Sequence, residues 1–128
     1  MCLHLKVELN RFEKTKRADS TFIGWKVVTV KPSGDVFSWL KAHQWQVGVN
    51  IPTGIAQCHE FGNLYGGCFH IFPTEEDANN SLRKYGCYEQ RVMKVMFYHQ
   101  HLIATGVDDD GTLTGAVLSC WVDELPTY

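Results

Sequence analysis

The sequence predicts an α+β domain: a largely antiparallel twisted sheet, or a partly open barrel, of five to seven strands with one main helix over about residues 74–85. Three observations point there. Several segments alternate apolar and polar residues with the period of two that a strand requires. One segment, and only one, combines a helix start signal, a helical apolar spacing and a stop signal. Gly, Pro and Asp clusters separate the strand-like runs, as hairpin turns do. One helix among many strands packs by covering a sheet face.

The elements follow in order. Cys2 to Leu9 alternates strictly, with Leu3, Leu5, Val7 and Leu9 on one side, and reads as a strand. Residues 10–21 are polar and read as an exposed loop. Phe22 to Val30, rich in β-branched residues, is a second strand, and Pro32-Ser33-Gly34-Asp35 turns the chain. Residues 36–64 take no single assignment: Val36 to Leu40 fits a short strand or a helical turn, and Trp45 to Ile51 fits a strand closed by Pro52-Thr53-Gly54. Cys68 to Phe72 reads as a short buried strand. Thr74 then caps a helix, with Asp77 three residues on and Glu75 and Glu76 complementing its positive end. Ala78, Leu82 and Tyr85 share a helical face, and Gly86 ends it. Arg91 to Tyr98 and Leu102 to Val107 are strands, Asp108-Asp109-Asp110-Gly111 a turn, and Ala116 to Val122 the last strand.

The totals exclude several classes. A chain of 128 residues, 45% apolar and 20% charged, is sized for a single domain over 1–128 that folds without a metal or disulfide. A net charge of −2 gives no general attraction to nucleic acid or an anionic membrane. No window approaches the ~20 apolar residues of a membrane helix. The opening residues alternate instead of forming an apolar leader, and the five cysteines are odd in number, so a cytoplasmic protein with reduced thiols is expected.

Against that background a few residues could carry chemistry. Cys2 with His4, and Cys68 with His70, lie two apart on strands, so each pair shares a face; side by side, the two strands would offer four ligands to zinc. Neither pair has the spacing of an established metal motif, and no resident metal or cofactor is expected. Cys68 beside His70 is also the best local nucleophile and base pair. The acids at 75–77 and 108–110 are explained by helix capping and a turn. Gly66 and Gly67 permit close backbone approach to a ligand or a turn into the next strand. Trp25, Trp39, Trp45 and Trp121 suit either a core, an apolar pocket or an oligomer interface.

The run Gly66-Gly67-Cys68-Phe69-His70-Ile71-Phe72-Pro73-Thr74-Glu75-Glu76-Asp77-Ala78 resembles a Gly-(Phe/Ile)-His-x-Phe strand followed by an acidic helix start. That pattern belongs to small phage and bacterial domains of unknown function carried by mobile genetic elements. Trp25-Lys26-Val27, the Val92 to Phe97 strand and Ala104-Thr105-Gly106 extend the resemblance over roughly 22–122, while Cys68 stands where the pattern has Gly. The layout is also similar to the ADP-ribosyltransferase core, in which a glycine-led strand precedes such a helix. Trp25 or Lys26 occupies the place where that family has His or Arg.

The functional expectation is a non-catalytic module that binds a small molecule or a protein. Its candidate ligand-binding residues are Trp25, Lys26, Gly66, Gly67, Cys68, Phe69 and His70, with Lys26 and His70 as polar handles. The second resemblance implies a degenerate nucleotide- or NAD-binding enzyme as the alternative. A homo-oligomer built on exposed aromatic residues is the third reading.

Overall fold

A computed structural model describes residues 4–6, 9–17, 20–38, 43–52, 57–58, 64–65, 68–82, 89–107 and 111–128. Its strands are β1 (His4–Lys6), β2 (Glu13–Lys14), β3 (Thr21–Val30), β4 (Val36–Phe37), β5 (Gly48–Asn50), β6 (Gln57–Cys58), β7 (Leu64–Tyr65), β8 (Phe69–Ile71), β9 (Glu89–Tyr98), β10 (Leu102–Val107), β11 (Leu113–Val117) and β12 (Cys120–Val122). The helix α1 spans Glu75–Asn80. The α+β expectation holds at this level: the described residues form mostly antiparallel strands and one short α-helix.

The strands form two principal sheets and not a closed barrel, and they outnumber the five to seven expected. The four-stranded sheet has the order β1-β10-β11-β8, and its β1–β10 pairing is parallel. The six-stranded sheet has the order β2-β3-β9-β12-β5, with β4 also on β3. β6 and β7 pair separately. The long antiparallel β3–β9 ladder, running from Thr21 opposite Tyr98 to Val30 opposite Glu89, is the backbone of the molecule. The sheets meet where Trp25 and Phe72 exchange two backbone hydrogen bonds of 2.8 and 2.7 Å. This bridge fills the stretch of β3 edge between its pairings with β2 and β4.

Alternation along β3 decides where the core sits. Phe22, Val28 and Val30 share one face with Val95 and Phe97 of β9, and all five are buried. Phe69, Ile71 and Val117 close the core from the four-stranded sheet. Gly24 belongs to the same face; a Cβ there would lie 2.6 Å from Ile71 Cδ1, so the close approach of β8 requires glycine.

Several expectations need correction. The 10–21 segment is not a plain exposed loop: Leu9–Arg11 makes a 3₁₀ turn, β2 follows, and Phe12 is buried against Phe97 with ring centroids 5.3 Å apart. Leu9, assigned to the first strand, belongs to that turn. The expected Ala116–Val122 strand is two strands in different sheets, because the chain bends at Leu118–Ser119 to cross from one to the other. The helix stops at Asn80, short of the expected 85, and Leu82 is exposed. The Ser81 hydroxyl bonds the Asp77 carbonyl, the acceptor a continued helix would give to the Ser81 N–H, and the Ser81 and Leu82 N–H groups turn instead to the Ala78 and Asn79 carbonyls at 3.1 and 3.2 Å. Tyr85 and Gly86 lie outside the described residues.

The start signals hold. Thr74 Oγ1 accepts the Asp77 N–H at 3.1 Å, and α1 packs on β3 and β9 through the fully buried Ala78. Gly34 takes φ +93° in the β3–β4 turn, as the Pro32–Asp35 signal predicts. Among the described residues no helix is long and apolar enough to cross a membrane.

Candidate functional site

The predicted site residues are brought to one region by the Trp25–Phe72 bridge, but onto different faces. Strand alternation is the reason. Phe69 and Ile71 point into the main core, and Cys68 packs instead with Ala104 and Ala116 in a small separate cluster. His70, cross-strand from Ala116, shares that side, and its Nε2 lies 3.9 Å from the Cys68 thiol. Lys26 is on the core face of β3, opposite Met93, while Trp25 is on the outer face, opposite Lys94. Cys68, the neighbour of His70, is also one of the groups that act electrostatically on Lys26. Gly66 and Gly67 lie outside the described residues.

Phe69 is committed to packing. Only 2% exposed, it packs against Trp45 and His43, with ring centroids 4.5 and 4.8 Å away, and those two rings also meet each other at 4.9 Å. Trp45 is core as well, its indole N–H donating to Ser38 Oγ at 2.7 Å. His43 completes this unit through a 3.1 Å contact from Nε2 to Asn50 Oδ1.

The metal arrangement fares differently. The strands of His4 and His70, β1 and β8, are opposite edges of the four-stranded sheet with β10 and β11 between. At about 4.8 Å per strand, roughly 14 Å separates them, several times the reach of one ion's ligands. Cys2 lies outside the described residues, among which no group of three or more metal-ligating side chains occurs.

Lys26 has unusual electrostatics. It keeps partial exposure as a residue, but its ammonium sits among core atoms, and burial pulls its pKa from 10.5 down to about 8. Cys120 and, less strongly, Cys68 oppose that shift. Burial likewise pushes the Cys120 thiol up to about 12. No carboxylate pairs with Lys26 among the described residues.

The outer face of the six-stranded sheet has a feature that sequence reading missed. Pairing aligns Ile23 with Met96, Met96 with Trp121, and Trp121 with Val49, one continuous apolar row across four strands. Val49 is 58% exposed and Tyr98, 5.4 Å from the Trp121 ring, is 44% exposed. Beside the row, Trp25, Lys94, Met96, Asp123, Glu124 and Leu125 line a groove of about 530 Å³. The groove's charges are mixed, and Asp123 also holds Arg17 at 3.0 Å. The four residues of the row lie far apart in the chain; only strand order and register bring them together.

The adjoining edge strand is blunted. Gln46 Nε2 donates to the Val49 carbonyl at 3.1 Å, and Asn50 Nδ2 donates to the Gln46 and Gly48 carbonyls at 2.8 and 3.1 Å. The Gly48 and Val49 carbonyls point to opposite sides of β5, so a side chain occupies one acceptor that an added strand would need. A second groove of about 500 Å³ lies over Phe12 and Phe22. Those rings are only 4% and 5% exposed, so it offers a ligand chiefly Lys14, Ser20 and His99.

The chain matches no protein-family model, no curated protein and no solved structure.

Proposed function

We propose that this chain is a non-catalytic module that binds a protein segment across the outer face of its six-stranded sheet. The observation that carries this reading is the apolar row Ile23–Met96–Trp121–Val49, flanked by Tyr98 and the Trp25 groove. Ile23 and Trp121 are partly exposed and Val49 fully so, over the buried Met96, and aromatic and aliphatic side chains grouped in this way at a surface contribute large contact area at protein interfaces. Lys94 on one groove wall and Asp123 and Glu124 on the other supply the polar rim that orients a partner. Because a side chain occupies an acceptor on the β5 edge, the partner docks on the face and does not extend the sheet.

The test is selection of binders from a random displayed-peptide library against the folded protein. Selected peptides are expected to compete with one another and to lose at least ~10-fold in affinity on Trp25→Ala or Trp121→Ala, as truncated hot-spot aromatics do. Peptides indifferent to both substitutions, or displaced only by changes at Cys68 or His70, would place the site elsewhere.

A further inference from the structure

β5 ends the six-stranded sheet with apolar side chains turned to water. Val49 and Ile51, two residues apart on its outer side, are 58% and 65% exposed. Single exposed apolar residues are ordinary, but these two continue the row that Ile23 and Trp121 form across the sheet. Charge is ordered around the same row. Trp121 pairs with Met96, so the antiparallel register brings Asp123 beside Lys94 just past the end of β12. Both are exposed and both line the groove. The β9 half of the face thus carries a cation where the β12 half carries an anion.

We propose that the partner of this face is a second copy of the chain, packed face to face about a two-fold axis along the groove between β9 and β12. The inference rests on the outer face being a protein-docking surface, and it names the occupant. Such an axis lays each β9 over the partner's β12, as stacked sheets do. Lys94 then meets the partner's Asp123, and the partner's Lys94 meets Asp123 in return. Arg17 holds Asp123 at 3.0 Å and so fixes the carboxylate that the incoming ammonium approaches. Ile23 faces the partner's Val49, and Trp121 seats over the partner's Met96. Read from one end, the face is the complement of itself read from the other, which is what a two-fold contact requires. Four strands at ~4.8 Å make the row about 19 Å long, the scale of a weak, reversible interface and not of an obligate one.

The experiment is sedimentation velocity of the full chain between ~5 μM and ~1 mM. The mass is expected to rise from 14.6 kDa toward twice that value. K94E and D123K, each checked for native circular dichroism, should each weaken self-association at least ~10-fold, because each sets like charges across the contact. Mixed together, the two variants should associate again, since one carries only acids at these positions and the other only bases. A chain that stays monomeric at ~1 mM overturns the proposal. So does a dimer that both substitutions leave unchanged, or a mixture that fails to associate. A monomer whose selected peptides are lost on Trp121→Ala overturns self-association alone; a monomer whose peptides ignore that change overturns the docking face as well.

Discussion

Thr29 shows how an individual side chain can weaken the structure that holds it. It lies in β3, 5% exposed, and its hydroxyl has no hydrogen-bond partner among the described residues. A buried hydroxyl without a partner has lost its water without replacement, at a cost of about 1–3 kcal/mol. Thr29→Val keeps the β-branched shape and removes that polar atom. It is expected to raise the free energy of unfolding by ~1 kcal/mol, measured by urea denaturation; a loss of stability would mean that the hydroxyl has a partner. Nothing about Thr29 in the sequence reveals this, because threonine is an ordinary strand residue and satisfaction depends on neighbours. Lys26 is similar: a lysine in a strand looks like a solvent-facing residue until Phe22, Val28 and Val30 are seen to share its face.

Among the elements, α1 was the most legible at its start and the least at its end. Thr74 and Asp77 make a local bond, and local chemistry is what a sequence records directly. Thr74→Ala removes the cap and is expected to cost about 1 kcal/mol in a denaturant titration, with Thr74→Ser retaining most of it. A variant as stable as the parent would show that Ala78 packing alone holds the helix. The end was misjudged because Leu82 and Tyr85 fit a helical face, while the competing bond of the Ser81 hydroxyl to the Asp77 carbonyl carries no periodic signature. The last strand failed for a related reason. Ala116 to Val122 is uniformly strand-like, and the bend that sends Val117 and Cys120 to different sheets is a tertiary event.

Over the whole molecule, the buried Lys26 and Cys120 make stability depend on pH in opposite senses. Lys26 binds its proton less tightly when folded, about 8 against an ordinary 10.5. Between those values the unfolded chain holds more protons, so this group makes stability rise with pH there. Cys120 releases its proton at about 12 when folded against an ordinary 9.0, so over that range its effect is a fall. Tm is therefore expected to rise from pH 8 to 9, to level while the two effects oppose each other, and to fall above 10.5. In K26M the rise should vanish and the fall begin near 9. An unchanged Tm profile in K26M would show that its ammonium is solvated in the folded state.

The sequence by itself determined the local features. They include the α+β class, the β3 and β9 strands, the Pro32–Asp35 turn and the capped start of α1. Each rests on bonds or periodicities contained within a few residues. Only the tertiary structure decided strand order and register. Those set β1 and β8 at opposite edges and assembled Ile23, Met96, Trp121 and Val49 into one row. The physical reason is that strand pairing joins distant segments through backbone bonds common to every residue, so the side chains do not announce their partners.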